Sequence, residues 1–222
     1  MKILAFDTTL SACSIALMVD GTIIGNAEEH ERARQVERLF PMIEALLAEA
    51  SLSYADLDAL AVTTGPGSFT GVRIGIAAAK GLRLVTGLPV IALSGLEVIA
   101  RALSHDFPKN RLPYLIILDA YRHQVFAQSF ASDMTPLMEP ALLDYAAITD
   151  YAQEKSYLVA GNGSHLAAEY LPSCEIAGSG YHVPTASLLA RDADELIALR
   201  PNGDDVAPLY IRAPDAKLPA NS

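Results

Sequence analysis

The sequence contains one arrangement twice: a short apolar strand that ends in an aspartate and is followed by a second strand. The run Ile3–Phe6 leads into Asp7 near the start of the chain, and Tyr114–Leu118 leads into Asp119 near its middle. Such runs are typical of buried strands, and each is followed by a polar turn and another apolar segment. The repetition predicts two lobes of similar construction with a cleft between them.

The boundary between these lobes is predicted in the polar, turn-rich stretch His105–Arg111. This gives an N-terminal lobe of residues 1–104 and a C-terminal lobe of residues 105–222. Apolar strands alternate with amphipathic helices through both parts, so the fold class is α/β. Two lobes of this kind predict the actin-like (ASKHA) fold, in which each lobe is a mixed sheet with flanking helices.

The first lobe is predicted to open with three antiparallel strands. Cys13–Val19 and Thr22–Ala27 flank an Asp20-Gly21 turn signal, which indicates a hairpin beside the first strand. Three antiparallel strands at the start argue against a dinucleotide-binding fold. At the other end of the chain, Pro208–Ile211 predicts one short strand in the tail.

Two helices of the first lobe carry unusual surfaces. The first has an apolar stripe that runs from Val36 to Ala50. The second is predicted over Thr70–Thr86 and has small residues at every fourth position, Gly71, Gly75 and Ala79. Glycine inside a helix costs about 1 kcal/mol relative to alanine, so we expect another backbone to approach closely. That backbone belongs to the chain's own sheet, to another subunit, or to both on opposite faces.

Composition excludes several functions. The net charge is −10 with 26 acidic and 16 basic residues, which argues against direct binding to a nucleic-acid backbone. The two cysteines lie far apart, and the five histidines form no pair with metal-ligand spacing. We therefore predict no metal site. The start of the chain contains no signal-peptide pattern and no apolar run is long enough to cross a membrane, so we expect a cytoplasmic protein.

Two groups of residues are candidates for nucleotide binding. Strand-end carboxylates that face a cleft can orient Mg²⁺ through water, and glycine turns allow a ligand to approach the backbone. The same residues are also explained by ordinary turns and a helix start. If a nucleotide binds, we expect weak binding of ATP or ADP. The candidates are Asp7, Thr8, Thr9, Asp119, Gly161, Asn162 and Gly163.

Two sequence motifs together resemble those of a known protein family. They are Ile3–Thr9 and the longer, more specific Gly65–Gly75, which reads GPGSFTGVRIG. With them the chain resembles the TsaB (YeaZ) family, a subunit of the bacterial machinery that makes threonylcarbamoyladenosine in tRNA. Asp119–Arg122, Gly161–Gly163 and Pro208–Arg212 also resemble parts of this family, so the likeness extends over essentially the whole chain.

The resemblance implies a non-catalytic scaffold subunit with an actin-like fold. It implies pairing with a paralogue, TsaD, that carries the metal site, together with the ATPase TsaE. The complex forms N6-threonylcarbamoyladenosine next to the anticodon of tRNAs that read codons starting with A. It also implies a homodimer when the partner is missing, and tRNA contact only through the complex.

The family pairing surface, transferred by position, falls on the two helices described above. Their apolar and small residues would form a bundle with the partner's helices, although the sequence does not separate the residues that face a partner from those that face the chain's own sheet. The predicted interface residues are Val36, Leu39, Phe40, Ile43, Leu46, Leu47, Gly71, Ile74, Gly75, Ala78, Ala79 and Leu82.

The alternative function is a small actin-like ATPase or kinase that acts alone through Asp7 or Asp119. Asp7 lacks the glycine that usually follows this aspartate in working actin-like ATPases, which weakens this alternative. A protease is a third hypothesis, but the chain contains no GxSxG nucleophile motif.

Overall fold

The computed structural model describes residues 1–10, 12–31, 35–152, 156–203 and 205–212. Two five-stranded sheets, each mixed in strand direction, form its framework. The predicted α/β class and the strand–aspartate–strand repeat are both present. None of the helices in these ranges is long and apolar enough to cross a membrane.

The first sheet has the order β3-β2-β1-β4-β5. The first three strands pair antiparallel, as the hairpin signal predicts, and β4 and β5 run parallel to β1. The strands are β1 Lys2–Asp7, β2 Cys13–Val19, β3 Thr22–Glu29, β4 Ala59–Thr63 and β5 Val90–Leu93. Its helices are α1 Gln35–Glu49, α2 Phe69–Thr86 and α3 Gly95–Asp106.

The second sheet has the same topology. Its order is β10-β9-β6-β7-β8, so an antiparallel pair again lies on one side of the central strand and parallel strands lie on the other. The strands are β6 Tyr114–Asp119, β7 Gln124–Phe130, β8 Ala141–Asp144, β9 Leu158–Ala160 and β10 Glu175–Ile176. Its helices are α4 Ala147–Ala152 and α5 Ser164–Tyr170, and α6 Ala186–Leu199 follows.

Helices cover both faces of each sheet because the side chains of a strand alternate between the faces. In β1, Leu4 and Phe6 pack with α1 and α2, whereas Ile3 and Ala5 pack with α6. In the second sheet, one face packs against α3 and the other against α4 and α5. Helices α3 and α6 therefore lie in the interior, between the two sheets.

Helix α6 returns to the first sheet although it comes late in the chain. Its buried side chains, Leu189 and Ala193 among them, share one core cluster with β1, β2 and β4. The division after residue 104 stays a prediction, and α6 comes from the segment predicted for the second lobe. An apolar stripe shows that a helix is covered, and it does not show which sheet covers it.

One predicted strand is wrong. Pro208–Ile211 forms no strand. Within this segment only Leu209 makes a backbone hydrogen bond of the kind found between strands, from its N–H to the carbonyl oxygen of Thr64 at 2.8 Å. The short strands β8 and β10 were not predicted from the sequence. Pro41 lies inside α1.

The packing of α6 predicts different effects for two leucines on this helix. Leu189 is fully buried, so Leu189→Ala should lower the free energy of unfolding by about 2–5 kcal/mol through lost burial and a cavity. Leu199 is 72% exposed, and Leu199→Ala should change it by less than about 0.5 kcal/mol. Urea unfolding of both variants checks this. Equal effects would contradict the placement of α6.

Candidate functional site

The loop that follows β1 is centred on a buried carboxylate. Asp7 accepts hydrogen bonds from the hydroxyls of Thr9, at 2.8 Å, and of Thr63. The backbone N–H of Thr9 donates a third bond at 3.3 Å. Thr63 reaches Asp7 because β4 runs parallel beside β1. Burial raises the pKa of Asp7 to about 6, and the hydrogen bonds from Thr63 and Thr9 oppose this rise.

The two threonines after Asp7 are fully buried by the glycine-containing segment that resembles the family string. The N–H of Ser68 donates to the carbonyl oxygen of Thr9 at 2.7 Å. The Thr8 hydroxyl donates to the carbonyl oxygen of Gly71 at 2.6 Å. A Cβ on Gly71 would lie 2.0 Å from the Thr8 carbonyl oxygen, and one on Gly67 2.1 Å from that of Thr9. At Gly71 the predicted close backbone approach is thus made to the chain's own loop, whereas Gly75 meets the side chains of Thr8 and Val62.

This packing leaves no surface of Asp7, Thr8 or Thr9 open to a ligand. Thr8 and Thr9 have no exposed area, and Asp7 has almost none. The oxygen atoms of Asp7 are already used by donors from within the chain. These three residues therefore hold the start of α2 against the end of β1 in this conformation.

The second candidate group forms a corner between β6 and the end of β9. The side-chain oxygen of Asn162 accepts a hydrogen bond from the N–H of Asp119 at 2.8 Å, so the structure brings these two predicted residues together. Gly161 has a φ of +101°, and a Cβ there would lie 2.0 Å from the carbonyl oxygen of Ile117. The N–H of Gly163 donates to the same carbonyl at 3.0 Å. Asp119 stays half-buried, and nucleotide binding here stays a prediction.

The structure separates the predicted interface residues into two sets. Most are buried in the chain's own core against the first sheet: Leu39, Ile43, Leu46, Leu47, Gly71, Gly75, Ala78, Ala79 and Leu82. Phe40 is 41% exposed and Ile74 is half-buried. The Val36 side chain lies outside the described residues.

The exposed residues border a groove between the two helices, which we name the α1–α2 groove. It has a volume of about 560 Å³ and is mostly apolar. Two lining residues were not among the predicted interface residues: Phe69, which is 45% exposed at the first residue of α2, and Arg73 one turn later. Phe69 is an aromatic residue that lies off the buried stripe of α2, and this position is the sequence feature that could have identified it. The groove is lined by Leu39, Phe40, Phe69, Thr70, Arg73, Ile74, Ala77 and Ala78.

No metal-binding cluster is apparent in the part of the chain that the structure describes. Within those ranges, no group of three or more histidine, cysteine, aspartate or glutamate side chains is placed to hold an ion. Cys13 is buried in β2, and burial raises the pKa of its thiol to about 12, so it is not a ready nucleophile.

Comparison with known proteins identifies the family. The family model described as TsaD, tRNA N6-adenosine threonylcarbamoyltransferase, matches residues 27–207. The tRNA threonylcarbamoyladenosine biosynthesis protein TsaB of Escherichia coli K12 is 40% identical over 133 residues, 60% of this chain and 56% of that protein. The crystal structure of YeaZ from Pseudomonas aeruginosa superposes with a TM-score of 0.77 at 28% identity, over 94% of this chain and 99% of that one. The chain belongs to the TsaB (YeaZ) family.

A more distant likeness confirms the fold. The inorganic polyphosphate/ATP-glucomannokinase of Arthrobacter sp. strain KM superposes with a TM-score of 0.54 at 12% identity, over 90% of this chain and 99% of that one. The two-lobe α/β fold is therefore the actin-like fold of sugar kinases, and a likeness at this identity indicates no shared chemistry. The chain spans about half the length of the first curated relatives it matches, from 43% to 56%.

The close approach at Gly71 predicts opposite effects for two substitutions in α2. Gly71→Ala places a methyl group against the Thr8 carbonyl and should lower the free energy of unfolding by about 2–3 kcal/mol. Gly81→Ala meets no atom within 4 Å and should raise it by about 0.5–1 kcal/mol through helix propensity. Thermal or urea unfolding measures both. Stabilisation by Gly71→Ala would contradict the close packing of the Thr8 loop.

The burial of Asp7 predicts a pH dependence of stability. Its pKa is higher in the folded chain than the ordinary value near 3.8, so the folded state binds this proton more tightly. The stability that protonation of Asp7 contributes is therefore lost as the pH rises from about 4 through 6, and it is constant above about pH 7. Relative to Asp7→Asn, the free energy of unfolding of the unmodified chain should fall by about 1 kcal/mol between about pH 5 and pH 8. If the free energies of unfolding of the two proteins changed with pH in parallel, this prediction would be wrong.

Proposed function

We propose that the protein is a non-catalytic scaffold subunit in the formation of N6-threonylcarbamoyladenosine next to the anticodon of tRNAs that read codons starting with A. It pairs with the threonylcarbamoyltransferase paralogue TsaD, acts together with the ATPase TsaE, and forms a homodimer when alone. Family membership supports the pathway, because two relatives are named as tRNA threonylcarbamoyladenosine biosynthesis proteins. The observation that carries the scaffold role is the exposed apolar α1–α2 groove.

This groove has the features of a protein-binding surface. Phe40 and Phe69 expose large parts of their rings at its two walls, and Leu84 is 86% exposed further along α2. Contiguous apolar surface of this kind indicates an interaction site on a chain that is otherwise well packed. Aromatic side chains that fill a partner's pocket commonly dominate the binding energy. The groove therefore suits a helical surface of another protein.

The remaining features support a subunit that leaves the chemistry to its partner. Asp7, Thr8 and Thr9 are enclosed by the chain's own glycine segment, so this first group of nucleotide-binding candidates has almost no accessible surface in this conformation. The net charge of −10 disfavours direct tRNA binding, so tRNA would be reached through the complex. The alternative, an independent ATPase or kinase, is supported only by the fold, which is shared by proteins of many functions.

The test combines depletion with complementation. Nucleoside mass spectrometry of bulk tRNA after depletion should show a loss of threonylcarbamoyladenosine, which the unmodified gene restores. The double variant Phe40→Asp/Phe69→Asp should fail to restore it and should lower the affinity for purified TsaD at least about 100-fold, because two charges enter an apolar contact.

The control is Ile24→Asp, which places a charge on an equally exposed apolar residue on the outer strand β3. This variant should restore the modification fully. Unchanged threonylcarbamoyladenosine after depletion would contradict the pathway. Full complementation by the double variant would contradict the role of the groove.

A further inference from the structure

Arg73 is held in a fixed position at the wall of the α1–α2 groove. Its guanidinium lies over the ring of Phe69, 3.6 Å from the ring centroid. Its Nε–H donates to the hydroxyl of Tyr210 at 3.0 Å. Tyr210 in turn stacks on Phe69, with ring centroids 5.4 Å apart and planes 30° apart. Two aromatic side chains from distant parts of the sequence thus orient one cation, and an ordered guanidinium loses less entropy when it binds a ligand.

This oriented cation has no anionic partner among the residues that the structure describes. Among the described residues, no carboxylate forms an ion pair with Arg73, and the Tyr210 hydroxyl is its hydrogen-bond acceptor. A guanidinium carries five N–H donors, and the bond to Tyr210 uses the one on Nε. The first turn of α2 contains no acidic residue to offset the positive end of the helix. The groove wall therefore combines a free, fixed cation with a positive helix terminus.

A partner that covers the groove must compensate this charge. The other lining residues are apolar apart from Thr70, so contact with a partner removes water from the guanidinium without supplying an acceptor. A charge buried without a partner is strongly destabilising, and a planar guanidinium is best matched by two carboxylate oxygens. A phosphate group would call for further cations, and the lining residues include no second one.

We infer that Arg73 determines partner specificity at the α1–α2 groove by pairing with a carboxylate side chain of the partner, and that Tyr210 positions it. The partner surface is an apolar helix face that presents one aspartate or glutamate to the guanidinium. A partner of the same shape without this carboxylate is rejected, because the buried arginine stays unpaired. The inference rests on the proposed function, which names the paralogue that docks there.

The experiment measures the affinity of the full chain for purified TsaD from the same genome by isothermal titration calorimetry at low and high salt. Arg73→Gln should weaken binding at least about 30-fold, and Arg73→Glu at least about 100-fold. Arg111→Gln is the matched control, since Arg111 is an exposed arginine in the loop before β6, and it should leave the affinity unchanged. The affinity of the unmodified chain for TsaD should fall with increasing salt concentration, and this dependence should be weaker for Arg73→Gln.

The positioning role of Tyr210 has a separate readout. Tyr210→Phe keeps the ring stack on Phe69 and removes the acceptor of the Arg73 Nε–H. It should weaken binding about 3- to 10-fold in the unmodified chain and have no effect in the Arg73→Gln background. A purely structural role would give the same loss in both backgrounds. Equal urea midpoints for the variants show that folding is intact.

A charge-reversal screen identifies the carboxylate. Arg73→Glu is titrated against TsaD variants in which each exposed aspartate or glutamate is changed to lysine, and one variant should restore binding. No restoration, or undiminished binding by Arg73→Gln while the unmodified chain binds TsaD, would overturn this inference and leave the proposed function standing. Absence of binding between the two unmodified proteins would overturn the proposed pairing itself.

Discussion

The contact between the loop after β1 and the start of α2 determines which side chains in this region are enclosed and which remain at the surface. Two backbone segments touch there without intervening side chains, because Gly67 and Gly71 have no Cβ to separate them from Thr9 and Thr8. Hydrogen bonds between the same segments fix their register. This contact encloses Asp7, Thr8 and Thr9 and places the start of α2 so that Phe69 and, one turn later, Arg73 are exposed.

The duplicated architecture leaves one pair of helices on the outside of the molecule, which suits the proposed scaffold role. Each sheet has an antiparallel pair and a parallel pair around a central strand that ends in an aspartate. The two sheets are joined by α3 and α6, and an ion pair links these helices where Arg191 meets Asp106 at 2.7 Å. The interior helices hold the two sheets together, while α1 and α2 remain on the outside of the first sheet, available to another protein.

The α1–α2 groove joins an apolar surface to a single oriented charge. Apolar area gives affinity with little discrimination, whereas a charge that must be matched gives specificity. The tail contributes to this surface because residues 205–212 cross from the first sheet to the second, with Val206 buried in the first core and Arg212 bonded to Gln124. Tyr210 lies between these two anchors, so the orientation of Arg73 depends on the packing of the tail.

The sequence by itself determined the α/β class, the three antiparallel strands that open the first lobe, the repeated strand–aspartate arrangement, the helices α1 and α2 and the family, because apolar periodicity and the GPGSFTG string depend on neighbouring residues. It also predicted a close backbone approach at Gly71 and Gly75. Only the tertiary structure decided that Gly71 approaches the backbone of Thr8 while Gly75 meets side chains, that Leu39 and Ile43 face the core while Phe40 does not, and that Tyr210 meets Arg73. A helical pattern shows which residues share a face, but the partner of that face is set by contacts between segments far apart in the chain, for which a single sequence contains no local signal.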